Sequence, residues 1–279
     1  MRRQTTVLVV DKGGRGSVLV DKYAQSKHVD RIIAVPGNDL MQVNSNKPVR
    51  IYPHLKTTSV AEILQICKRE NVSLADVAQD NAVEVGLADA LIQNGILTVG
   101  PTRNAGRIEW DKVWAREFGK KYKLPQPFFK TFHSQKDGVK YIRSQRDQKW
   151  FIKASGLAEG KGVLPAHNNA EAIKRISELK KNFKDAAKDY LIEKWFGGEE
   201  FSTFVLVDGN NFKIIGSAQD HKRTCNFDIG ENTGGMGCST PPRLLTPKIQ
   251  KEYMQSSRRQ SLVLKKKVDH TKVSYILVE

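Results

Sequence analysis

Across residues 1 to about 100, short runs of β-branched residues alternate with stretches of amphipathic helical period, and this alternation restricts the fold more than any other feature. The runs are VLVV at Val7–Val10, RIIAV at Arg31–Val35, VRIY near Val49–Tyr52, a short LADVA, and ILTVG near Ile96–Gly100. Between them the spacing predicts helices over Ser17–Gln25, Val60–Glu70 and Asn81–Gln93, the second with Val60, Ile63, Leu64 and Cys67 on one face. Strands separated by helices imply parallel pairing through crossovers, so this half is expected to be a doubly wound parallel α/β sheet.

Gly100-Pro101-Thr102 ends that pattern. A helix is expected over Glu109–Lys121, and the proline-punctuated KLPQP forms a link. From Phe128 the order becomes strand, helix, strand, Gly-rich loop, strand, helix, strand. A hairpin follows, in which EEFSTFVLV and FKIIGSA flank an Asp208-Gly209-Asn210-Asn211 turn. Strands now outnumber helices, which favours an antiparallel-rich α+β domain. The 279 residues suffice for two ordinary cores. The boundaries are placed at 1–106 and 107–254, with 255–279 as a basic tail.

Several function classes are set aside by composition. No apolar run approaches the roughly 18–20 residues a membrane helix needs. The opening MRRQTTVLVVDKGG carries only a brief apolar run, ended by Asp11 and Lys12, so a first strand of a cytoplasmic protein is expected rather than a signal peptide. Cys67, Cys225 and Cys238 show no CxxC spacing and no paired histidines, so neither a zinc site nor a disulfide framework is expected, and no metal ligand is assigned. The formal charge of +16 raises the question of nucleic acid. That charge is scattered along solvated faces such as KRISELKKNFKDAAKD and through the tail, without a recognition-helix, RRM or zinc-finger pattern. A monomer acting on small molecules is expected.

Three strings carry chemistry. In IKASGLAEGKGV a strand ending in Lys153 enters a loop with Gly156, Gly160 and Gly162 around Lys161. Glycines let backbone amides approach an anion and the lysine adds charge, as in a phosphate cradle. No Ser or Thr follows the lysine, so this is not a Walker A loop; standing alone it also fits an ordinary hairpin. In IEKWFGGEEFS a strand ends in Glu193 and Glu200 opens the next. Backbone groups of Lys194–Phe196 can hold an adenine and Glu200 can accept from ribose hydroxyls, although a turn with solvated acids fits the isolated segment. In AQDHKRTCNFDIGENTGGMG, residues 218–237, Asp220, His221, Lys222, Arg223 and Asp228 share a long polar loop without helical or strand period. Such loops tend to carry sites.

In this order, the strings ASGLAEGKGV, GGEEFS, QDHKR and NTGGMG closely resemble the ATP-grasp domain of the phosphoribosylamine–glycine ligase family, over roughly residues 5–250. The resemblance implies that Lys112 in EWDKVWAREF and Lys153 contact ATP phosphates. It implies that Lys161, with Gly160 and Gly162, covers the β- and γ-phosphates, and that Glu193, Lys194, Phe196 and Glu200 meet the nucleoside. Asp220, His221, Lys222 and Arg223, with Asn232, Thr233, Gly234 and Gly235, would face glycine and 5-phosphoribosylamine. Lys153, Lys161, Asp220, Lys222 and Arg223 would be catalytic. In the N-terminal half Gly13, Gly14, Arg15, Gly37 and Asn38 match substrate loops. The family's Gly-x-Gly-Gly-Arg-Glu-His turn reads here as VVDKGGRGS, with Asp11 for the first Gly and Gly16-Ser17 for Glu-His, and its Gly-Pro-Glu becomes Ala78-Gln79-Asp80.

By the same resemblance the reaction runs in two steps through a glycyl phosphate to glycinamide ribonucleotide, with ATP and magnesium or manganese. A Glu and a Glu-Phe-Asn strand that bind the metal in the family lie beyond the matching part. The match is expected to stop near Gln255, with the basic remainder produced by a frameshift.

Overall fold

The computed structural model describes residues 4–158, 161–208, 211–233, 235–252 and 274–278. The chain divides into two compact units, one centred on residues 1–106 and the other on residues 107–205 with 212–263.

The first unit holds β1 (Thr6–Asp11), α1 (Gly14–Gln25), β2 (Arg31–Pro36), α2 (Asp39–Val43), β3 (Val49–Ile51), α3 (Val60–Arg69), β4 (Val72–Val77), α4 (Asp80–Glu84), α5 (Leu87–Gln93) and β5 (Leu97–Val99). Its five strands lie in the order β3-β2-β1-β4-β5 and pair in parallel, so the expected doubly wound sheet is present. All six residues of β1 are buried, because helices cover both faces of a central parallel strand. Val7, Val9, Val20, Ala24, Ile32, Ala34 and Met41 form the core on one side. The expected single helix over Asn81–Gln93 is two helices. Gly86 has φ 80°, a left-handed conformation that interrupts the helical ladder between α4 and α5. Helix α2 went unpredicted; Asn38 caps it, its side chain accepting from the Met41 amide.

The helix expected over Glu109–Lys121 also breaks in two, into α6 (Arg103–Trp110) and α7 (Lys112–Lys121). Asp111 stands between them and accepts from the Trp114 amide, which starts a new helix. The second unit continues with β6 (Phe129–Phe132), α8 (Gln135–Arg143), β7 (Trp150–Ala154), β8 (Val163–Ala166), α9 (Asn169–Phe183) and β9 (Tyr190–Lys194). This is the order the sequence predicts, and the sheet β6-β9-β7-β8 is antiparallel throughout. One face packs Trp150, Ile152, Ala154, Ala166, Tyr190 and Ile192 against Ile142 of α8 and Ala172, Ile176 and Leu179 of α9.

Then come β10 (Ser202–Val207), β11 (Phe212–Asp220), β12 (Arg223–Cys225), β13 (Ile229–Asn232), β14 (Cys238–Ser239) and β15 (Ser274–Val278). A four-stranded sheet has the order β14-β11-β10-β15, so the expected hairpin partners β10 and β11 are neighbours; Gly209 and Asn210 of its turn lie outside the described residues. Residues 218–237, expected to lack strands, contain the antiparallel pair β12–β13. Phe227 at its tip has φ 61°, which closes the hairpin despite the absence of a glycine at that position. The three cysteines are free thiols, and burial pushes the Cys67 thiol up to about 12. Among the described residues no helix is long and apolar enough to cross a membrane.

Candidate nucleotide site and the loops around it

Alternation along β7 sends Trp150, Ile152 and Ala154 into the helical core, so Phe151 and Lys153 stand on the other face. The antiparallel register sets Phe151 opposite Glu193 and Lys153 opposite Leu191, which makes Lys153 and Glu193 diagonal neighbours on that face. Their side chains form an ion pair. From α7, Arg116 Nε reaches the other carboxylate oxygen at 2.5 Å. Glu193 is 1% exposed. Burial pushes its carboxyl up, but Lys153 and Arg116 outweigh this and hold it below the usual carboxylate range.

The start of α7 is tied to the loop after β7. Ser155 Oγ donates to Asp111 at 2.9 Å and accepts from the Val113 amide at 2.9 Å, while the Lys112 amide donates to Ser155 O at 3.0 Å. Lys112 is thereby fixed beside the Gly-rich loop. Arg116 was not singled out from the sequence, yet it lies four residues after Lys112 on the same helix and so on the same face. Asp111 and Ser155 were missed as well.

Within the Gly-rich loop, Gly156 donates its amide to Ala186 O at 2.9 Å and packs on Ala186, so this glycine anchors the loop instead of facing an anion. A Cβ on Gly162 would lie 2.7 Å from Ala158 Cβ, so the loop's own packing demands a glycine there. Lys161 is exposed, and Gly160 lies outside the described residues. Beyond β9, the amides of Lys194 and Trp195 donate to Phe128 O and Lys149 O at 2.9 and 3.2 Å. These two amides are therefore unavailable to an adenine, which narrows the expected backbone donors to exposed Phe196. Trp195 stacks on Phe151 at 4.4 Å between ring centroids, forming an aromatic ledge next to Lys153.

Glu200 and Lys222 form an ion pair that joins the second and third strings. Thr233 donates to Lys222 O through its amide at 2.7 Å and its hydroxyl at 2.9 Å. His221 Nε2 lies 2.9 Å from Ser239 Oγ, and its backbone pairs with Met236 and Gly237. Gly235 has φ 119°, and a Cβ there would sit 3.1 Å from Asp220 Oδ1. Arg223 turns its guanidinium to Gly230 O at 2.8 Å. Asp220, His221, Lys222, Thr233 and Gly235 are thus brought together with Glu200. Asn232 shares the hairpin as the backbone partner of Arg223, and Gly234 lies outside the described residues.

In the first unit the loops after β1, β2 and β4 converge at the carboxyl ends of the strands, where the strand order reverses between β1 and β4 and where open α/β sheets place ligands. Asp11 is fully buried and accepts from the Gly13 amide at 2.5 Å and from Gln79 Nε2 at 2.7 Å. Arg15 donates to Ala78 O at 2.5 Å, and Asn38 Nδ2 donates to Lys12 O and Ser17 Oγ. Gly37 has φ 71°, and a Cβ there would meet Ile51 at 2.7 Å. Gly13, Gly14, Arg15, Gly37 and Asn38 therefore share one end of the sheet.

A model of the phosphoribosylglycinamide synthetase N domain matches residues 5–109, and one of the phosphoribosylglycinamide synthetase ATP-grasp (A) domain matches residues 110–275. The chain belongs to the phosphoribosylglycinamide synthetase family. The phosphoribosylamine–glycine ligase of Chlorobaculum tepidum is 34% identical over 258 residues, which cover 92% of this chain and 60% of that relative. The crystal structure of the Thermotoga maritima phosphoribosylamine–glycine ligase has the same fold, with TM-score 0.77 and 22% identity over 98% of this chain and 64% of that one. A biotin carboxylase domain of Hydrogenobacter thermophilus 2-oxoglutarate carboxylase, solved with MgADP, superposes with TM-score 0.73 at 16% identity over 99% of this chain and 61% of that one. This family member spans about 60% of the length of the Chlorobaculum relative. The ATP-grasp match runs to residue 275, past Gln255, where the expected resemblance stops.

Asp11, Gly16, Ser17 and Gln79, read from the sequence as departures from the family pattern, contact one another or a shared neighbour. Asp11 accepts from Gln79, a Cβ on Gly16 would run into the Asp11 side chain, and Ser17 donates to Gly13 O at 3.3 Å, the residue whose amide donates to Asp11.

The charge of the residues around the Gly-rich loop suits a nucleoside triphosphate. Lys112, Lys153 and Lys161 flank the loop, and the Arg116–Glu193–Lys153 row holds two cations to one anion. For magnesium the described residues offer less, since among them no group of three or more His, Cys, Asp or Glu side chains could hold a metal ion.

Proposed function

We propose that this chain carries the nucleotide-binding part of an ATP-dependent carbon–nitrogen ligase that joins glycine to 5-phosphoribosylamine. A glycine carboxylate oxygen attacks the γ-phosphorus of ATP, ADP leaves, and a glycyl phosphate forms. The amine nitrogen of phosphoribosylamine then attacks the acyl carbon, phosphate leaves, the amine gives up a proton, and glycinamide ribonucleotide results. The protein's share is placement and charge, since neither step needs a protein nucleophile. Lys153, Lys112 and Lys161 would oppose the triphosphate, the ledge at Phe151 and Trp195 with Phe196 would receive the adenine, and the loops holding Asp220–Arg223 and Thr233–Gly235 would face glycine and the amine. Magnesium or manganese would accompany ATP and neutralise phosphate charge. The setting would be cytoplasmic, the chain a monomer, and its partners small molecules rather than nucleic acid.

The observation that carries this proposal is the buried Glu193 carboxylate held between Lys153 and Arg116 on the sheet face beside the Gly-rich loop. A thermal-shift titration with magnesium and ATP tests it, because a ligand that binds only the folded state raises its stability by mass action. Saturable stabilisation by ATP, with glycinamide ribonucleotide formed from glycine and phosphoribosylamine, is the expected result. Stabilisation without product would support a non-catalytic ATP-binding chain. Product made with another amine or carboxylate in place of these two would point to a different ligase of this fold.

A further inference from the structure

Arg116, Glu193 and Lys153 form a row of alternating charge in which each carboxylate oxygen has its own cation. We propose that Glu193 is a positioning residue that aims Lys153 at the phosphates, not a nucleoside contact, and that Arg116 supplies the charge that keeps the row cationic. This rests on the nucleotide reading above.

Exposure separates the members of the row. Glu193 is 1% exposed, so no ligand can reach its carboxylate, whereas the Lys153 and Arg116 side chains are 19% and 30% exposed. A lysine on its own holds its ammonium loosely through four rotatable bonds, and ordering it costs side-chain entropy. The carboxylate, held rigidly in the sheet opposite Phe151, removes that freedom before a ligand arrives. A lysine–glutamate pair is neutral, however, and would offer an incoming anion little attraction. With Arg116 on the second oxygen, two cations share one anion and a net positive charge remains at the surface of the row.

The two roles predict opposite signs for Glu193→Gln. Removing the anion raises the local positive charge, so a purely electrostatic Glu193 would make the variant bind triphosphate more tightly. A positioning Glu193 makes it bind more weakly, because Lys153 is released. The test is calorimetric titration of the full 279-residue chain with a non-hydrolysable ATP analogue plus magnesium, and separately with adenosine. We expect Glu193→Gln to lose about tenfold in affinity for the analogue and nothing for adenosine, the scale of one charge-assisted hydrogen bond. Lys153→Met should show the same selectivity. Arg116→Gln should also lose about tenfold, and Arg116→Lys should recover to within roughly twofold.

Tighter or unchanged analogue binding by Glu193→Gln overturns the inference, as does a parallel loss for adenosine. If Glu193→Gln does not fold, the Arg116 pair decides, because that side chain is partly exposed; unchanged affinity in Arg116→Gln is then the contrary result. A wild-type chain that binds neither ligand defeats the nucleotide reading itself and this inference with it. Intact wild-type binding with an indifferent Glu193→Gln defeats the inference alone.

Discussion

Gly16 is constrained by a neighbour five positions earlier. A Cβ there would come within 2.6 Å of Asp11 Cβ and 2.9 Å of its Cγ, where the end of β1 packs on the first turn of α1. Gly16→Ala should therefore cost about 1–3 kcal/mol of stability. Asp11→Gly in the same chain should show a coupling above about 0.5 kcal/mol in a urea double-mutant cycle, and strictly additive costs would contradict the contact. Glu193 makes a prediction in pH. Its folded pKa is depressed by Lys153 and Arg116 against the push of burial. Its contribution to stability is thus complete above the ordinary carboxylate range and is lost as pH falls through the folded value. The stability gap between wild type and Glu193→Gln should narrow from about pH 6 to about pH 3, in denaturation curves taken at each pH. Both Lys153 and Glu193 stand out in the sequence by their motifs. That they bind each other does not, because it depends on the register between strands 40 residues apart, which no local pattern encodes.

At the scale of elements, Asp111 decides where one helix ends and another begins. It caps α7 through the Trp114 amide and receives the Ser155 hydroxyl from the loop after β7. Burial acts to raise its carboxyl, and Arg107, the Trp114 amide and Ser155 together hold it low. Asp111→Ala should lower stability by about 1–2 kcal/mol, the usual cost of a lost N-cap, as read by chemical denaturation. It should also weaken binding of an ATP analogue more than Glu178→Ala does on the outer face of α9. Periodicity revealed that helix existed across Glu109–Lys121 but merged two helices, just as it merged α4 and α5 across Gly86. An amphipathic period survives a single break, so only a cap or a backbone angle discloses it. The β12–β13 hairpin was hidden for another reason: its sequence shows no alternation of apolar residues, and Thr224, Cys225, Ile229 and Gly230 are all exposed.

At the scale of the whole molecule, the proposed nucleotide site draws its residues from the second unit. Hydrogen exchange with saturating ATP analogue and magnesium should add protection across residues 150–166 and 190–202, and little across residues 6–11 and 72–77. Equal protection in both sets would place the nucleotide elsewhere.

The amino-acid sequence alone determined the class of each half, the order of the elements and the three strings that carry the family. These follow from local periodicity, glycine placement and residue chemistry, each legible within a dozen neighbours. The tertiary structure alone decided which charged groups share a face. It showed that Glu193 is buried between two cations, that Glu200 is engaged by Lys222, and that Asp11 braces Gln79 across the sheet's end. Each of these contacts joins residues 22 to 77 positions apart, and only strand register and helix packing bring such partners together.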